Sequence, residues 1–69
     1  MKISARNTLP GTVRKIERGA VNAEVTIEVA AGLSIVSVIT LDAVDALGLK
    51  EGRKAYAVVK ASSVMVGVD

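Results

Sequence analysis

The sequence predicts an all-β fold, a small curled barrel of five strands with one short helix between strands 3 and 4. Three observations carry this. From Val21 to Val29 the chain alternates strictly, with Val21, Ala23, Val25, Ile27 and Val29 on one side and Asn22, Glu24, Thr26 and Glu28 on the other. A period of two is the signature of a half-buried strand, and β-branched residues suit its pleated surface. Strand-like segments recur at Thr12–Arg18, Leu33–Thr40, Arg53–Lys60 and Val64–Val68. Only Thr40 to Gly48 has helical spacing, with Leu41, Val44 and Leu47 forming one apolar stripe.

In chain order, Met1–Asn7 (MKISARN) is polar apart from Ile3, and Pro10-Gly11 reads as a turn. The first seven residues are therefore expected to form an arm able to pair with a neighbour's sheet edge. In the first body strand, Thr12–Arg18, Val13 and Ile16 are three apart and cannot share a face unless a bulge falls near Arg14-Lys15. Gly19 supplies the next turn and Ala20–Ala30 the second strand. Ala31-Gly32 leads into Leu33–Thr40, which is apolar on both faces: Ile35 and Ile39 on one, Val36 and Val38 on the other. Such a strand calls for cover on its outer side by a helix or a partner subunit. Thr40 suits a helix N-cap, Asp42 the first turn, and Gly48-Leu49 a Schellman ending. Arg53–Lys60 and Val64–Val68 complete the set, separated by the polar break Ala61-Ser62-Ser63. Strand, strand, strand, helix, strand, strand is the order of an OB-type barrel; an SH3-like barrel is the alternative and usually lacks a helix of this length there.

Sixty-nine residues make one domain, 1–69. A chain this short hides only about 60% of its unfolded surface. Half the residues are apolar, and no cysteine is present to staple the fold. The surplus asks for burial against copies of the same chain; a small barrel with a few exposed valines is the plainer alternative. Nine Lys/Arg against seven Asp/Glu give +2, too mild to imply a polyanion. Tyr56 is the sole aromatic, which speaks against stacking on nucleic-acid bases. No apolar run is long enough to span a membrane, and the N-terminus lacks a hydrophobic leader core. A cytoplasmic protein with no nucleic-acid or membrane partner is expected.

Without His or Cys there is no triad, thiolate or plausible bare-cation metal site. Glu24 and Glu28 share an outward strand face, where a solvated role is the ordinary one. No glycine-rich phosphate loop occurs. Two clusters remain. Ser4-Ala5-Arg6-Asn7 offers a hydroxyl, a guanidinium and an amide; Lys60-Ala61-Ser62-Ser63 offers an ammonium and two hydroxyls. Small residues leave backbone N–H groups reachable. A donor-rich set of this kind suits a compact oxyanion, since a tetrahedral dianion accepts roughly eight hydrogen bonds and donates none. Alternatively Ser4 and Ser62 cap turns while Arg6 and Lys60 are solvated charges.

These same residues resemble a known family. Ser4-Ala5-Arg6-Asn7, Leu9-x-Gly11, Ile16-Glu17-x-Gly19-Ala20-Val21-Asn22-x-Glu24-Val25, Ser37-Val38-Ile39-Thr40, Leu47-Gly48-Leu49-x-x-Gly52 and Lys60-Ala61-Ser62-x-Val64-Met65 look like the molbindins, the small free-standing members of the Mop/TOBE domain family. The resemblance implies an OB-like barrel that binds molybdate, and usually tungstate, without turnover. It implies a homo-hexamer, a trimer of dimers, with oxyanions held at subunit interfaces. It assigns Ser4, Arg6, Lys60 and Ser62 to the anion, with Ala5, Asn7 and Ala61 giving close backbone or amide contacts. Thr40 matches a hydroxyl used in related regulator domains; the hydroxyl they place three residues later is replaced here by Ala43. Gly19, Ala20, Val21 and Asn22 resemble a second interface site. Competing readings are a nucleic-acid-binding OB domain and an oxyanion-sensing module acting on a partner. An enzyme is disfavoured for want of catalytic groups.

Overall fold

The computed structural model describes residues 1–69. Four strands and one helix form: β1 (Asn7–Arg18), β2 (Asn22–Ala30), β3 (Leu33–Thr40), α1 (Leu41–Leu47) and β4 (Lys54–Val59), followed by a 3₁₀ turn at Ala61–Ser63. The sheet is antiparallel with spatial order β3-β2-β1-β4. It curls into a half-barrel that stays open between β3 and β4.

β1 is the strand that everything else reads. Its first half, Asn7 to Thr12, pairs with β4; its second half, Thr12 to Arg18, pairs with β2. Pro10-Gly11 is therefore no turn but lies inside the strand, which begins at Asn7 and not at Thr12. Proline is tolerated because the β2 ladder starts only at Thr12, so Pro10 stands at a one-sided, edge-like position opposite Tyr56. The arm is correspondingly shorter. The expected bulge is present: the β1–β2 register shifts between Val13 and Lys15, which puts Val13 in the core and turns Ile16 back towards it.

The second strand starts at Asn22, leaving Val21 exposed at the corner. Ala23, Val25 and Ile27 are buried as their alternation requires. They pack with Val13, Val44 and Ala57 into the core. The expected Val64–Val68 strand does not form. The residues follow the 3₁₀ turn in an irregular, exposed path, so five strands become four. A strand forms only when its backbone groups meet a partner edge, and no edge of this chain pairs with that segment.

α1 closes the bottom of the half-barrel. The Ala43 amide donates to Thr40 Oγ1 at 3.0 Å, so Thr40 is the N-cap. Gly48 takes the left-handed conformation at φ 62, and the Gly48 and Leu49 amides donate back to Asp45 and Val44, the Schellman ending. Of the helix stripe, Val44 is fully buried, whereas Leu47 is exposed. The outer face of β3 has no cover: Val36 and Val38 are 56% and 66% exposed. No helix is long and apolar enough to cross a membrane.

Candidate functional site

The first rung of the β1–β4 ladder sets Asn7 opposite Val59. The residues just before Asn7 and just after Val59 therefore leave the sheet side by side. Ser4, Ala5 and Arg6 from the arm, and Lys60, Ala61 and Ser62 from the turn after β4, line one open hollow together with Val58. The two sequence clusters, at opposite ends of the chain, are one place in the fold. Arg6 and Lys60 of one chain line the same hollow.

The turn has a local cause. Ser63 and Val64 donate to the Lys60 and Ala61 carbonyls at 2.9 and 3.2 Å, closing one 3₁₀ turn. The amides of Ala61 and Ser62 are its first two, which such a turn cannot bond internally. Ala61 carries only a methyl group, so its backbone is reachable.

The electrostatics of the hollow are one-sided. The protein's ion pairs are Arg14–Glu28, Lys15–Glu17 and Arg18–Asp45; Arg6 and Lys60 belong to none of them. No carboxylate lines the hollow. Ser4 and Ser62 make no side-chain hydrogen bond within the chain, whose side-chain bonds come from Arg14, Arg18, Arg53 and the Thr40 cap. Two cations and two hydroxyls thus face solvent with no internal partner. Such a set can take a small anion through charge-assisted hydrogen bonds. It has no carboxylate, histidine or cysteine beside its serines to activate them, and no group of three or more metal-ligating side chains exists in the molecule.

Asn7 heads β1 beside this hollow. Thr40 does not reach it. Thr40 stands opposite Asn22 in the β2–β3 ladder, and the Leu41 amide donates to the Val21 carbonyl at 3.0 Å. Thr40 therefore belongs with Gly19, Ala20, Val21 and Asn22, at the other end of β1. Gly19 and Asn22 line a second, shallower hollow with Glu17, Arg18, Glu24 and others. There the Gly19 amide is already engaged with the Asn22 carbonyl at 2.8 Å, and two carboxylates stand close by. That corner thus has fewer unengaged donors and carries negative charge beside them. Val58 was missed in the sequence. Its signal is the two-residue spacing to Lys60, which follows just beyond the end of β4.

Comparison with known proteins fixes the family. The model of the TOBE domain matches residues 3–66. The chain belongs to the TOBE domain family. This TOBE domain is 54% identical, over the full length of both chains, to the "Probable molybdenum-pterin-binding protein" of Haemophilus influenzae. Among solved structures it is similar to MopII from Clostridium pasteurianum in an apo form, at 49% identity and a TM-score of 0.91, covering 97% of this chain and 100% of that one. It is also similar to the cytoplasmic molybdate-binding protein ModG with molybdate bound, at 55% identity and a TM-score of 0.94, covering all of this chain and 49% of that one. The molbindin resemblance thus holds in fold as well as in sequence.

Proposed function

We propose that this TOBE domain binds molybdate, and tungstate with it, at the hollow between the arm and the post-β4 turn, holding the anion without chemical turnover. The observation that carries the reading is that Arg6 and Lys60, both without an acidic partner, line one hollow with Ser4 and Ser62, and that no carboxylate lines it. The relatives' names support molybdenum and molybdate as the ligand. The two cations offset the charge of the dianion, while hydroxyls and the Ala61 and Ser62 amides supply directed donors. Ala5 and Asn7 border the same anion.

Thr40 and the Gly19–Asn22 corner lie at the far end of β1, so only a neighbouring chain could bring them to a Ser4–Lys60 hollow. The uncovered apolar surface of β3 supports such neighbours. The assembly we infer is a homo-hexamer, a trimer of dimers, with anions at its seams. Storage and buffering of molybdenum in the cytoplasm is the corresponding role.

Native mass spectrometry tests this. A hexamer that gains several molybdate or tungstate masses, and none from equal sulfate, is the expected result. A chain that takes up no molybdate overturns the reading.

A further inference from the structure

The residues that line the anion hollow stand outside the sheet, three just before β1 and three just after β4, with one exception. Val58 lies within β4. It is paired with Thr8 of β1, one rung from the Asn7–Val59 pair. The ladder therefore holds its backbone, whereas the arm and the 3₁₀ turn lie beyond the ladder's end. A β-branched side chain is also stiff about its first torsion. Val58 gives the hollow its one fixed wall.

That wall is apolar. Val58 is 41% exposed, so it presents hydrocarbon to whatever enters. The donors come from Ser4, Arg6, Lys60 and Ser62. An oxyanion seated among them exchanges water for hydrogen bonds, but against Val58 it loses water with nothing in return. The loss differs between dianions. At equal charge, the Born cost of leaving water falls as the ion grows. Sulfate is the smaller tetrahedral dianion and is penalised more; molybdate and tungstate are larger and penalised less.

We infer that Val58 is a specificity-determining residue, whose apolar wall turns away smaller, more strongly hydrated dianions and admits the larger ones. The inference rests on the anion binding proposed above and adds how the site discriminates. Net charge cannot do so, because these dianions carry the same charge. The donors cannot do so alone, because each dianion presents the same set of acceptor oxygens. A cost imposed on the wrong ligand can. Val58 is the one residue of the hollow placed to impose it, since Ala5 and Ala61 carry only methyl groups on chain outside the ladder.

Val58→Thr tests this. The two side chains have nearly the same shape, both suit a strand, and threonine adds one hydroxyl to the wall. Thr8 stands opposite, so a Thr–Thr pair fits the rung. Calorimetry on the full chain measures the Kd for molybdate and the displacement of bound molybdate by sulfate. The ratio of the sulfate Kd to the molybdate Kd is expected to fall about three- to ten-fold, the net worth of one hydrogen bond at tenfold per about 1.4 kcal/mol. Val58→Ile keeps the wall apolar and should hold the ratio within about two-fold. A ratio unchanged in Val58→Thr overturns the inference while leaving molybdate binding standing. A ratio that falls equally in Val58→Ile also overturns it, since the shape of the wall and not its hydration would then decide. A wild-type chain that takes up no molybdate overturns the proposed function, and this inference with it.

Discussion

Gly11 passes so close to β2 that a β-carbon on it would stand 2.5 Å from the Glu28 carbonyl oxygen. The same atom would lie 2.7 Å from Ile27 Cγ2. This is the point where β1 exchanges one ladder partner for the other. Gly11→Ala is expected to cost about 1–3 kcal/mol, the range for overpacking, because backbone and a core side chain must both move. Urea denaturation checks it, as a lower midpoint with unchanged slope.

Val44 is the one fully buried residue of the helix, with Leu41 packed against the core beside it. Val44→Ala should cost about 2–3 kcal/mol, two methyl groups plus the cavity they leave. Leu47→Ala on the exposed side of the stripe should cost within about 0.5 kcal/mol in the isolated domain. A larger loss at Leu47 would mean that assembly buries it.

Gly48→Ala places a β-carbon in the left-handed region, 3.0 Å from Arg53 Nη1. A loss of about 1–2 kcal/mol is expected from the handedness penalty alone. Thermal unfolding measures it.

Thr40→Ala removes the helix cap and should cost about 1 kcal/mol of stability. Thr40→Ser should restore it. If a neighbour's anion also uses this hydroxyl, molybdate affinity measured by calorimetry falls in the alanine variant and returns in the serine variant. Affinity untouched by Thr40→Ala confines the residue to capping.

Lys60→Ala and Arg6→Ala should each weaken molybdate binding by about 1.5–3 kcal/mol, the scale of a charge-assisted hydrogen bond. Neither side chain has a partner in the fold, so stability should hold within about 0.5 kcal/mol. The double variant should fall short of the sum, since both act on one ligand. Unchanged affinity in either single variant removes that residue from the site.

The strands with strict alternation were legible in the sequence. Ala23, Val25 and Ile27 are buried where the pattern put them, and the bulge before Lys15 follows from the three-residue gap between Val13 and Ile16. The caps at Thr40 and Gly48 were legible too, because capping is local chemistry. Pro10-Gly11 misled, because turn propensity is local whereas tolerance of proline in a strand depends on which side the neighbouring strand approaches. Val64–Val68 misled for the opposite reason: its pattern is that of a strand, but the edge it needs is not offered within one chain. The union of the Ser4 and Lys60 clusters depended on the β1–β4 register, which no local pattern states. Thr40 was grouped with that site by resemblance, and the β2–β3 ladder places it at the other end.

The pairing of Asn7 with Val59 has a kinetic side. The β1–β2 hairpin closes across a short turn, but the Asn7–Val59 rung must close a loop of about fifty residues, and loop-closure entropy grows with length. Local hairpins of this kind form early and distant pairings late. On that reasoning the hollow between the arm and the post-β4 turn is expected to be one of the last features to form as the chain folds. If the dianion bridges arm and turn as proposed, it binds only the chain in which that final loop has shut, and it then shifts the folding equilibrium by mass action and slows reopening at that seam. Amide exchange along Asn7–Leu9 and Ala57–Val59 is where that protection would first be read.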